Sequence, residues 1–169
     1  MKLLVIGFGS NLGDREDNLA KARQMINQIW ESPIYSRVFQ TLPWGIADQP
    51  LFLNQVGMGY TAQSPFKILE AIKNFERQMG RTEGPRNGPR IIDLDILYYS
   101  DWVLVSDILT IPHPRLHERA FTLLPLSEIM PDWIHPVKMK SHQELLNLLD
   151  PPEDSCRIYE AHSRPITED

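Results

Sequence analysis

Residues 2–9, KLLVIGFG, form a nearly unbroken apolar run of the length expected for a buried strand. Asp14 then stands where a helix N-cap belongs, and Leu19, Ala22, Ile26 and Ile29 recur on one helical face, predicting a helix through about Trp30. A strand is expected around 34–41. A proline-broken loop follows, from Leu42-Pro43-Trp44-Gly45 to Gln49-Pro50, and then a strand over 51–61. Ser64-Pro65 pairs an N-cap serine with a proline at the first helical position, opening a helix that runs to Met79 and stops at Gly80. A Gly/Pro/Arg loop over 81–90 leads into a strong strand over 91–99. This order predicts an α+β, ferredoxin-like βαββαβ sheet with helices packed on one face. Residues 100–169 add short helices near 117–127 and 141–149 and a polar C-terminal extension. No repeat or linker divides the chain, so 1–169 reads as a single domain.

Polar residues interrupt the apolar pattern at three places, and each place has two readings. In strand 91–99, Asp93 and Asp95 share one face while Ile92, Leu94 and Ile96 share the other, core-facing one. Two adjacent carboxylates repel unless a cation lies between them. An all-oxygen pair favours Mg²⁺, which usually shares its site with phosphates; the alternative is a solvated acidic face. On the helix opening at Ser64, Glu76 falls inside the stripe made by Ile68, Leu69, Ile72, Phe75 and Met79. A carboxylate so placed needs a partner, with Arg81 the obvious one, unless it reaches water at the stripe's margin. Asn54 breaks the apolar file of Phe52, Val56, Met58 and Tyr60; it pairs either with backbone or with the polar edge of a heterocycle.

His113, between Pro112 and Pro114, is fixed on a stiff extended segment. His117, His135, His142 and His162 lack such a setting and read as surface residues. Gly7-Phe8-Gly9-Ser10-Asn11-Leu12-Gly13 follows a strand as a dinucleotide fingerprint does, but its third glycine is one residue late, and no P-loop motif occurs.

Composition narrows the function classes. With a net charge of −5, the 169-residue chain is unlike a general nucleic-acid or membrane-surface binder. Yet six of its eleven arginines lie between residues 77 and 119, where there is no lysine. Guanidinium forks grip phosphates and carboxylates, so this concentration suggests a small anionic ligand. The single cysteine, Cys156, excludes an internal disulfide framework. No apolar run is long enough to span a membrane, and the N-terminal one is interrupted too early for a signal peptide; a cytoplasmic location is expected.

Gly9-Ser10-Asn11-Leu12-Gly13, Leu42-Pro43-Trp44-Gly45, Gly88-Pro89-Arg90-Ile91-Ile92-Asp93-Leu94-Asp95-Ile96-Leu97 and Pro112-His113-Pro114-Arg115-Leu116-His117-Glu118-Arg119-Ala120-Phe121 occur in that order. Together they resemble the 6-hydroxymethyl-7,8-dihydropterin pyrophosphokinase family of folate biosynthesis, over about residues 3–135. The resemblance implies transfer of the β,γ-diphosphate of ATP to the pterin hydroxymethyl oxygen, releasing AMP. It implies that Asp93 and Asp95 bind two Mg²⁺ ions. Arg81, Arg90, His113 and Arg119 would hold ATP, with Glu76 on the nucleotide side, and Arg81, Arg90, Asp93 and Asp95 would be catalytic. Thr41, Pro43, Trp44, Phe52, Asn54 and Phe121 would form the pterin pocket, with Asp95 at its edge. Loop 81–90 would fold over ATP as a lid. Expected partners are ATP, the pterin and other folate-pathway enzymes, with neither nucleic acid nor membrane. The competing reading is a non-catalytic small-ligand module on the same sheet; RNA binding would want a basic sheet with exposed aromatics.

Overall fold

A computed structural model describes residues 1–43, 48–82, 84, 87–149 and 156–160. The chain runs through β1 (Lys2–Ser10), α1 (Arg15–Ile26), β2 (Glu31–Tyr35), β3 (Phe39–Thr41), β4 (Phe52–Thr61), α2 (Pro65–Gln78) and β5 (Asp93–Tyr99). It continues with the short β6 (Leu104–Val105) and β7 (Thr110–Ile111), a 3-10 turn at Leu116–Glu118, α3 (Ala120–Ile129), α4 (His142–Leu148) and β8 (Cys156–Ile158). The six-stranded sheet has the order β5-β1-β4-β3-β8, with β2 also paired to β4. Treating β2 and β3 as one interrupted strand recovers the ferredoxin-like order, with β1 in the middle.

Several boundaries differ from the sequence reading. α1 ends at Ile26 rather than near Trp30 because Asn27 caps it and its side chain accepts from both Trp30 Nε1 (2.9 Å) and Tyr35 Oη (2.8 Å). The Trp30 indole then lies against β4 where Gly57 and Gly59 leave room: a Cβ on either would come within 2.9 Å of the ring. The expected strand at 34–41 is split because Ser36 turns inward; its hydroxyl accepts from Val56 N, and its carbonyl accepts from Gln55 Nε2. Ser64 occupies the N-cap of α2 without a side-chain cap bond, leaving Pro65 as the start signal. β5 begins at Asp93, two residues later than expected, although Ile92 is fully buried.

The helices cover both faces of the sheet, not one. On the first face, Leu19, Ala22 and Ile26 of α1 and Ile68, Ile72 and Phe75 of α2 pack on Leu4, Ile6, Phe8, Leu53, Leu94 and Ile96. On the second, Leu123 and Leu126 of α3 and Leu145 of α4 pack on Val5, Val56, Leu97 and Tyr98. A slip in the β1–β5 register between Val5 and Ile6 turns both Leu97 and Tyr98 to this second face. The polar C-terminus also joins the fold, since β8 pairs with β3 and Tyr159 N donates to Val38 O.

His135 and His142 are buried, not surface residues. The Met130 carbonyl accepts from His142 Nδ1 at 2.8 Å, so His142 Nε2 accepts from the Tyr98 hydroxyl at 2.9 Å. Burial pushes the His142 pKa down to about 4. The unfolded chain takes up that proton near pH ~6.5 and the folded chain only near 4, so this contribution to stability is lost as pH falls through that window. Between about pH 7.5 and about pH 5, urea denaturation should show a larger fall in unfolding free energy for wild type than for His142→Asn. Equal falls would remove His142 as the cause.

Candidate active site

Among the described residues the second face of the sheet is left open beyond the reach of α3, and the site is built there. Gly9 of β1 lies opposite Asn54 of β4 on one side and Asp93 of β5 on the other, while Gly7 lies opposite Val56 and Asp95. A Cβ on Gly9 would stand 2.9 Å from Asn54 Oδ1. The bare central strand therefore lets an amide and two carboxylates lie across the sheet with nothing between them. The same alternation that sends Leu94 and Ile96 into the core sends Asp93 and Asp95 into the cleft.

On the β4 side, Thr41, Phe52, Asn54 and Phe121 line the cleft. Asn54 is buried and donates to Thr41 Oγ1 at 2.7 Å, which fixes the amide plane. Leu42 is also in the lining, with Pro43 next to it in sequence. Trp44 lies outside the described residues.

The β5 side carries the charge. Arg81 Nη1 donates to Asp93 Oδ1 at 2.7 Å, and Arg90 Nη1 donates to Asp93 Oδ2 at 2.9 Å. Arg81 Nη1 also donates to Glu76, as the stripe on α2 suggested. Glu76 is only 2% exposed and accepts further from Lys73 Nζ at 2.9 Å and from Leu94 N at 2.8 Å. A helix carboxylate thus holds the strand edge midway between the two aspartates. Burial and the neighbouring Asp93 charge push the Asp95 pKa up to about 7.

Above Asp95 stand His113 and Arg119. His113 Nδ1 accepts from Arg115 N at 3.2 Å, which leaves the Nε2 proton facing Asp95 Oδ2 at 4.0 Å. Burial, followed by Arg119's charge, lowers the His113 pKa to about 4, so at neutral pH this ring is an uncharged donor. Arg119 lines the cleft with its guanidinium 5.4 Å from the Phe121 ring centroid. Arg115 is not in the lining. Of the expected lid, residues 83, 85 and 86 lie outside the described residues.

Among the described residues no group of three or more His, Cys, Asp or Glu side chains could enclose a metal ion. Two carboxylates under mutual repulsion do fit Mg²⁺, which takes its remaining ligands from water and phosphate. The cleft therefore joins a pocket with a fixed amide to a floor that carries two carboxylates and the guanidiniums held on Asp93.

The family described as 7,8-dihydro-6-hydroxymethylpterin-pyrophosphokinase matches residues 5–131. The chain belongs to that family. It is 40% identical over 160 residues to the Folic acid synthesis protein fol1 of Schizosaccharomyces pombe, covering 94% of this chain and 22% of that protein. To the 2-amino-4-hydroxy-6-hydroxymethyldihydropteridine pyrophosphokinase of Aquifex aeolicus it is 40% identical over 144 residues, covering 85% and 90%. The crystal structure of wild-type Plasmodium falciparum HPPK-DHPS superposes with a TM-score of 0.71 at 15% identity, over 86% of this chain and 44% of that one, a likeness of fold. The chain thus spans about a fifth of the fungal relative's length and nine tenths of the Aquifex one.

Sequence reasoning missed Gly7 and Gly9 as the floor, having weighed their motif as a nucleotide fingerprint and as part of the family resemblance. The signal for the floor is the period-2 spacing of the glycines, which puts both on the face opposite Leu4, Ile6 and Phe8. Because Asp93 raises the Asp95 pKa, Asp93→Asn should lower it from about 7, as read by a carboxyl carbon-13 NMR titration. An unchanged value would mean that burial alone sets it.

Proposed function

We propose that this chain transfers the β,γ-diphosphate of ATP to the hydroxymethyl oxygen of 6-hydroxymethyl-7,8-dihydropterin and releases AMP. The observation that carries this reading is the continuity of one cleft, in which the Asn54 amide and the Asp93 carboxylate flank the same bare residue, Gly9. A pterin lying along Phe52 and Phe121, with its edge at Asn54 and Thr41, brings its exocyclic group toward Asp95. Pro43 and Trp44 complete this pocket in the same reading.

Attack at the β-phosphorus needs in-line placement and charge neutralisation rather than a covalent intermediate. Asp93 and Asp95 would hold Mg²⁺, two ions in this reading, which when bound offsets charge on the phosphates. Arg81 and Arg90, now spanning Asp93, present the forks that grip phosphate oxygens. Arg119 adds a third guanidinium, and the neutral His113 donates its Nε2 proton to an oxygen near Asp95. Glu76 holds Arg81 and the β5 edge rather than touching substrate. Residues 81–90 act as the cover that excludes water.

The reading takes residues 1–169 as one pyrophosphokinase domain working in the cytoplasm. Its product calls for a further folate-forming enzyme, in keeping with the longer folate-synthesis protein of fission yeast that this chain matches in part. No helix among the described residues is long and apolar enough to cross a membrane.

Incubation of the purified chain with Mg²⁺, ATP and the dihydropterin should yield AMP in step with pterin diphosphate. Asp95→Ala should slow this by at least roughly 10³-fold, the several kcal/mol that a metal-held phosphate is worth. ADP as product would contradict diphosphate transfer. Pterin binding with no turnover would leave the non-catalytic module.

A further inference from the structure

Asn11, within the Gly9-Ser10-Asn11-Leu12-Gly13 segment, has no part in the proposed chemistry. Asn11 is 1% exposed at the end of β1, and its side chain is fully engaged. Its Oδ1 accepts from Arg90 N at 2.7 Å, while its Nδ2 donates to Gln49 Oε1 at 3.0 Å and to Pro50 O at 3.1 Å. Its backbone N–H donates to Arg90 O at 3.1 Å. Gln49 in turn donates from Nε2 to Asn87 O at 2.9 Å.

These bonds tie together two loops that are distant in sequence. Residues 48–51 lead directly into Phe52, on the flat side of the cleft, and Leu51 O also accepts from Arg15 Nη1 at 2.8 Å. Residues 87–90 end at Arg90, on the charged side. The turn carrying Asn11 is itself braced, because Asn18 Nδ2 donates to Leu12 O at 2.9 Å and to Ser10 Oγ at 3.2 Å.

We propose that Asn11 and Gln49 are positioning residues that couple the two substrate sites, by holding Arg90 and the Gln49–Phe52 wall as one unit. The inference rests on reading the cleft as a two-substrate site. A nucleotide that draws Arg90 onto its phosphates then also settles the wall beside the pterin, and a bound pterin settles Arg90. Such coupling is reciprocal: each ligand tightens the other by the same factor. Losing one hydrogen bond of the clasp removes roughly five-fold of that factor.

The test is calorimetric binding of 6-hydroxymethylpterin and of a non-hydrolysable ATP analogue with Mg²⁺, each alone and each in the presence of the other. Wild type should show mutual tightening of about 10-fold or more, from more than one bond of the clasp. Gln49 is only half-buried, so Gln49→Ala should fold, keep each separate affinity within about three-fold, and lose most of the tightening. Asn11→Ala should do the same where its melting temperature shows a folded protein. Full coupling in Gln49→Ala, or none in wild type, would overturn the inference while leaving the proposed function intact. A wild type that binds neither ligand would overturn both.

Discussion

Two carboxylates held side by side on one strand are the constraint around which the site is arranged. Leu94 and Ile96 are committed to the core, so strand alternation gives Asp93 and Asp95 no other direction. Burial and then the Asp93 charge raise the Asp95 pKa, and the Lys73 and Arg119 charges offset part of that rise. Arg81 and Arg90 take both oxygens of Asp93, and Glu76 holds Arg81 from behind while accepting the Leu94 N–H. The guanidiniums are thus already gathered over Asp93, held in place by carboxylates.

The cleft itself depends on what is missing from β1. Gly7 and Gly9 make the central strand the lowest point of the open face, so the amide of β4 and the acids of β5 face a common space. The other half of that face is closed by α3 and α4 through Leu123, Leu126 and Leu145. The same helical segment delivers Arg119 and Phe121, side by side, to the cleft. Packing on one half of a sheet face and binding on the other share one layer.

Local rules made much of this legible. Period-two alternation identified the aspartate pair and its core-facing neighbours, and helical periodicity identified Glu76 as a carboxylate needing a partner. Asn54 stood out as an amide in an apolar file. What escaped was non-local. The break between β2 and β3 follows from Ser36 pairing with Val56, twenty residues away in sequence. The burial of His142 follows from Tyr98 and Met130, and nothing near residue 142 announces either. β8 reads as a polar tail until β3 offers it an edge. Asn11 drew no reading of its own because its partners, Gln49, Pro50 and Arg90, meet only in the folded chain.

The measurement closest to the central claim is the affinity of a non-hydrolysable ATP analogue with Mg²⁺ and with a chelator. If Asp93 and Asp95 need a cation between themselves and the phosphates, chelation should weaken binding by at least about 100-fold. In the Asp93→Asn/Asp95→Asn double variant that dependence should disappear while 6-hydroxymethylpterin still binds. Equal affinity with and without Mg²⁺ in the wild type would contradict the account.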